Sequence, residues 1–221
     1  MAAMRGSCPA RERKAGSVAV VRFLEARLRS PLPGPAAQLR MAPHPRAGDM
    51  TYPDVGGDCL QAGVLLLLFP RRGRLFFYLT KRTETVLHHR GQVSLPGGER
   101  HGSETPVQTA LRETNEELGV SLAGVSVLGR LTPLYIPPSN FCIHPVVASV
   151  PRPPACRPHA EEVAELIEAP LLRLLDPSAS RRECRKFRGR QFEIPYYDFD
   201  GCKVWGATAM VLAEFAALFD P

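Results

Sequence analysis

The sequence predicts an α/β (α+β) fold: an α/β/α sandwich in which helices cover both faces of a mixed sheet. Three observations lead there. Apolar runs of strand length fall in two groups, one on each side of a helix that is amphipathic by spacing. A second, apolar helix closes the chain. The length of 221 residues suits one domain with a sizeable core.

The elements follow in order. Residues 1–48 carry nine Arg or Lys against Glu12 and Glu25, so most of the formal +6 charge lies at the front. Residues 1–17 read as a basic, disordered leader, and residues 18–221 as a single domain. The leader lacks the aromatic and basic interleaving of a nucleic-acid platform, so no nucleic-acid partner is expected. Its Arg content leaves a transit peptide open. Val18 to Arg29 has the spacing of an amphipathic helix, followed by a Pro-rich connector from Pro31 to Pro45. Gly63 to Phe69 is the most apolar run, far too short to span a bilayer, and reads as a buried strand. It pairs with Arg74 to Thr80 around a turn at Arg71-Arg72-Gly73. Ser126 to Tyr135 and Cys142 to Val150 read as strands joined across Pro137 to Asn140. Val163 to Ile167 is a short strand and Pro170 to Leu175 a short helix. A hairpin spans Glu183 to Tyr197, with Arg188-Gly189-Arg190 near its turn. Thr208 to Phe219 is the closing helix. Six scattered cysteines without a C-x-x-C pair suggest free thiols in a reducing compartment, with a disulfide pair left open. No secretory signal is visible and no membrane partner is expected, so the expected location is cytoplasmic.

The segment with chemistry lies between the two strand groups: GERHGSETPVQTALRETNEELGV, Gly98 to Val120. Thr105 is a suitable N-cap, Pro106 a suitable first helical residue and Gly119 a suitable stop. Val107, Ala110, Leu111, Thr114 and Leu118 form the stripe for burial. Glu113, Glu116 and Glu117 are spaced i, i+3 and i+4, so their carboxylates share the other face. Like charges packed this way repel, and a hard divalent cation would relieve the repulsion. All-oxygen donors without Cys or His favour Mg2+ or Mn2+ over zinc. Three glutamates alone would read as a solvated face. The fixed distances to Gly98, Glu104 and Arg112 argue against that. Arg112 can orient Glu116 one turn on or reach back to Glu104.

That spacing is the full pattern of a Nudix box, and the chain resembles the Nudix hydrolases. Upstream, YLTKRTETVLHHRGQVSLPGG, Tyr78 to Gly98, resembles the second signature of their coenzyme A pyrophosphatase branch. Leu79, Thr80, Arg82, Gly91, Pro96, Gly97 and Gly98 match, whereas Tyr78, Thr83, Leu87 and Leu95 depart. Leu87 puts an apolar residue where that signature has a cation. The resemblance implies metal held by Glu113, Glu116 and Glu117 with a backbone carbonyl at Gly98 or Gly97. Glu104 and Arg112 would support them. The expected reaction is hydrolysis of a pyrophosphate in a CoA-like small-molecule nucleotide. Glu116, Glu113 and Arg112 would be catalytic, and the general base would be Glu116, Glu162 or Glu161. Lys81, Arg82, His88, His89 and Arg90 would meet the anionic substrate. ADP-ribose or another nucleoside diphosphate derivative is the alternative substrate, and a silent nucleotide-binding module the alternative class. A monomer or homodimer is expected.

Overall fold

The computed structural model describes residues 8–44, 59–83, 91–187 and 189–220. An eight-stranded mixed sheet forms the centre, and a three-stranded sheet lies beside it. Helix α1, Cys8–Arg27, is interrupted at Gly16. Short α2, Gly34–Gln38, follows inside the stretch expected as connector. Strands β1, Leu60–Arg71, and β2, Arg74–Arg82, form the expected antiparallel hairpin. Two strands the sequence did not announce come next: β3, Val93–Ser94, and β4, Gly97–Glu99. Two residues in β3 and three in β4, two of these glycines, are too few to carry a period. Helix α3, Pro106–Leu118, is the acidic helix.

The expected strand from Ser126 to Tyr135 is two strands: β5, Ser126–Arg130, and β6, Leu134–Ile136. Both pair with β7, Phe141–Ser149. The break has a physical cause. Between them the Thr132 N–H and hydroxyl donate to the buried Glu214 carboxylate at 3.1 and 2.6 Å. Strand β8, Val163–Pro170, leads into α4, Leu171–Leu174. Strands β9, Ser180–Phe187, and β10, Arg190–Phe199, make the expected hairpin, and β11, Cys202–Trp205, adds a third strand. Helix α5, Gly206–Ala217, closes the fold.

The main path is β3-β2-β1-β7-β5, with β8 on β2, β4 on β1 and β6 on β7. Only β1 and β7 are parallel, which makes the sheet mixed. Alternation along the strands builds a core on each face. Leu65, Leu67, Phe69 and Tyr78 pack with Ala110 and Leu118 of α3. Leu66, Leu68, Phe77 and Leu79 pack with Leu24 of α1 and with Val211, Leu212 and Phe215 of α5. The expected sandwich is therefore present, and the second sheet is an addition to it.

One thiol expectation is corrected. Cys59 and Cys142 form a disulfide, whereas Cys156, Cys184 and Cys202 are free. The parallel register sets Gln61 opposite Cys142 and so brings Cys59 alongside it. The two are separated by 83 residues in sequence, and no local spacing predicts the pair.

Candidate active site

The site is built where α3 crosses β1 and β4. Thr105 caps α3 with its side chain, and Gln108 returns the bond in a capping box. The helix backbone comes very close to the sheet at Gly63. A Cβ there would lie 2.7 Å from the Pro106 carbonyl oxygen and 2.8 Å from the Ala110 nitrogen, so only glycine permits the approach. At Gly98 a Cβ would stand 2.4 Å from a Glu113 carboxylate oxygen, so the glycine leaves room for that carboxylate where it lies. Gly63 opposes Gly98 in the β1–β4 ladder. Gly63 admits the helix backbone, and Gly98 lets the Glu113 carboxylate rest on the strand.

Arg112 ties the acidic side chains together. Its Nε and Nη2 donate to Glu104 at 2.7 and 3.1 Å, forming a two-pronged pair. Its Nη1 donates to both Glu113, 2.8 Å, and Glu116, 2.7 Å, and its Nη2 also donates to the Glu99 carbonyl. Both alternatives for Arg112 therefore hold at once. Glu104 also accepts from the His101 N–H and the Thr109 hydroxyl. Arg112, then these two donors, hold its pKa down at about 2.

Glu117 differs. Its side chain is 6% exposed and accepts one weak bond, from the Gly97 N–H at 3.3 Å. The Arg82 guanidinium stands 4.0 Å away. Burial pushes its pKa up to about 7; Glu113 and Glu162 add to the rise, while Arg82 and the Gly97 N–H oppose it. A buried carboxylate with so few partners calls for a further cation. Among the described residues, no three acidic, imidazole or thiol groups converge on one point as they stand. Arg112 instead holds Glu116 and one oxygen of Glu113. The donor set nevertheless fits a hard divalent ion. Glu113 rests on Gly98 and Glu117 on Gly97, and every donor is oxygen.

The NUDIX domain family profile matches residues 60–167. The human protein called mitochondrial coenzyme A diphosphatase NUDT8 is 34% identical over 198 residues, 87% of this chain and 76% of its own. The chain belongs to the Nudix hydrolase family. Nudix hydrolase NudL of Photorhabdus laumondii is 32% identical over 139 residues, 62% of this chain and 74% of that one. A MutT/nudix family protein from Enterococcus faecalis superposes with a TM-score of 0.49 at 16% identity, over 100% of this chain and 76% of that one.

As a Nudix hydrolase the protein is a pyrophosphohydrolase, and this family works with divalent metal ions. Its α3 is the Nudix helix. The other residues named from sequence fall into three places. Arg82 reaches Glu117, joining the upstream segment to the Nudix helix. Lys81, next to it on β2, turns to Glu165 at 4.0 Å, away from the box carboxylates. His88, His89 and Arg90 lie outside the described residues. Glu162 is near enough to Glu117 to act on its charge, and His159 Nδ1 stands 3.7 Å from Glu162.

Sequence reasoning missed how that loop is held. The His159 N–H donates to the Glu117 carbonyl at 2.8 Å and the Arg157 N–H to the Leu118 carbonyl at 2.7 Å. The Thr83 N–H and hydroxyl donate to the Glu162 and Glu161 carbonyls. These are mostly backbone bonds, so no residue type signals them in sequence. They tie the end of β2, the end of the Nudix helix and the Glu162 loop into one unit.

Proposed function

We propose that this Nudix hydrolase cleaves the pyrophosphate of coenzyme A or its derivatives. The products are 3′,5′-ADP and 4′-phosphopantetheine, or its acyl form. One observation carries the reading: Arg82, from the segment that resembles the CoA-branch signature, stands 4.0 Å from Glu117 of the Nudix helix. In this reading the substrate-recognition and metal-binding segments belong to one site. The human relative, called a mitochondrial coenzyme A diphosphatase, supports the same substrate.

In this reading Glu113, Glu116 and Glu117, with a backbone carbonyl at Gly98 or Gly97, hold Mg2+ or Mn2+. When bound, the metal supplies charge neutralisation on the phosphate oxygens and acidifies water. Arg112 orients Glu113 and Glu116. Arg82 meets the pyrophosphate, with His89 and Arg90 as further cations from the same segment. Glu116 or Glu162 takes the proton from the attacking water. The enzyme acts as a monomer or homodimer in the cytoplasm. No described helix is long and apolar enough to cross a membrane.

The test is Mg2+- or Mn2+-dependent hydrolysis of coenzyme A by the purified protein, with Glu116→Gln as control and ADP-ribose alongside. Release of 3′,5′-ADP that disappears in Glu116→Gln is the expected result. Turnover of ADP-ribose without turnover of coenzyme A would overturn the substrate and leave the reaction.

A further inference from the structure

A cavity of about 440 Å³ opens where β2 and β3 meet the three-stranded sheet. Lys81, Arg185, Lys203 and Trp205 are on its wall, with Gly91 and Gly201 at its rim. Its volume is within the range of small-molecule sites, roughly 300–1,000 Å³. It is separate from the box carboxylates: Arg82 faces Glu117, whereas Lys81, the residue before it, lines this cavity. The two are still close neighbours, because the Arg82 N–H donates to the carbonyl of Gln92, another wall residue.

Every charged side chain on the wall is a cation. The acids that steady them stand outside the wall. Glu183 pairs with both Arg185 and Lys203, so two cations share one carboxylate. Glu165 is 4.0 Å from Lys81, a loose pair. Asp198, close enough to influence the wall residue Cys202, is itself paired with Arg181 at 2.8 Å. The Arg185 guanidinium also lies over the Trp205 ring, 5.3 Å from its centroid, and Lys203 Nζ over Tyr196 at 4.9 Å. The wall therefore combines three cations with an indole ring that a guanidinium overlies. Cations of this kind suit a phosphate dianion, and an aromatic ring beside them suits a nucleobase.

We propose that this cavity binds the phosphomonoester end of a nucleotide. The inference goes beyond the substrate reading above and does not depend on it. The phosphomonoester has two sources: the second phosphate of the molecule being hydrolysed, or a separate free nucleotide.

Trp205 is the sole tryptophan of the chain, so its emission reports on the cavity directly. The full-length protein is titrated in EDTA with adenosine 3′,5′-bisphosphate, adenosine and inorganic phosphate. The expected result is saturable change with the bisphosphate, at least about tenfold weaker binding of phosphate, and no change with adenosine at the same concentrations. Lys203→Ala and Lys81→Ala, on different strands, each weaken the bisphosphate by about tenfold, while Glu117→Gln leaves its affinity unaltered. An unmoved emission, or equal affinity in wild type and both lysine variants, would overturn the proposal. The source is read from KM for coenzyme A relative to dephospho-coenzyme A, which lacks the 3′-phosphate. A ratio that rises in Lys203→Ala assigns the cavity to the substrate's own phosphate. A constant ratio with lost fluorescence binding assigns it to a free nucleotide. Bisphosphate binding in a protein that leaves coenzyme A intact would sink the substrate reading and uphold this one.

Discussion

Two glutamates are buried among the described residues, and they are buried in opposite ways. Glu214 of α5 has no solvent exposure and accepts four hydrogen bonds. The donors are the Gly34 N–H, the Gln38 amide, and the Thr132 N–H and hydroxyl. Glu117 of α3 is nearly as buried but has one weak backbone bond and a guanidinium at 4.0 Å. Glu214 is a completed polar knot joining α2, the β5–β6 link and α5. Glu117 is an incomplete one. Burial alone does not mark a functional carboxylate; burial with unmet coordination does.

The largest effect tests the completed knot. Glu214→Ala strands four donors at once, two on α2 and two at Thr132 of the β5–β6 link, each worth about 1–3 kcal/mol when left unpaired. Unfolding in urea should show a loss of about 3–5 kcal/mol. Turnover per folded molecule should stay near wild type. A loss below about 1 kcal/mol would mean that water replaces the carboxylate and that the knot is dispensable.

Glu117→Gln should do the reverse. Hydrolysis should fall by about 100-fold or more, because the proposed function assigns this carboxylate to the metal. Stability measured in EDTA at pH 8 should hold or rise, because a poorly paired buried charge has been removed. A variant that loses stability as Glu214→Ala does would erase the distinction between the two sites.

How much of this was legible in the sequence follows the same division. The Glu113, Glu116 and Glu117 spacing, the Thr105 cap and the Gly98 position are local patterns, and local patterns survive in one dimension. Long apolar runs such as Gly63 to Phe69 also declare their strand. Glu214 gave no signal, because its partners stand 82 to 180 residues away in sequence. The Cys59–Cys142 pair was hidden for the same reason. Lys81 and Arg82 were read as one cationic stretch, yet adjacent strand residues face opposite ways, and the structure sends them to different partners. Strand β11 was missed because four residues, Cys202 to Trp205, are too few to show alternation.

Arg112→Lys gives a smaller and sharper test of how the acidic set is arranged. Lysine keeps the charge but cannot span Glu104, Glu113 and Glu116 at once. A fall in kcat of about tenfold, with KM little changed, is expected from mispositioned carboxylates. Unaltered kcat would show that charge alone, without the guanidinium fork, suffices.

The smallest effect comes from a third part-buried ionisable group, and it is a matter of pH. His144 of β7 lies between the two extremes: it has one good partner and unfriendly neighbours. Its Nε2 donates to the Gln61 amide oxygen at 2.6 Å, and the other end of that amide donates to the Cys59 carbonyl. Burial, then the charges of Arg130 and Arg100, push its pKa below the ordinary 6.5. The folded state therefore favours the neutral ring, and the unfolded state takes up the proton first. As pH falls through 6.5, wild type should lose stability relative to His144→Gln, and the difference should level off below the folded-state pKa. Above pH 7.5 or so the difference should be independent of pH, because the ring is neutral in both states. Urea midpoints of the two proteins at pH 8, about 7, about 6 and about 5.5 measure this. A gap that is flat across the series, or that widens in favour of wild type on acidification, would mean that the imidazolium is accommodated beside the two arginines.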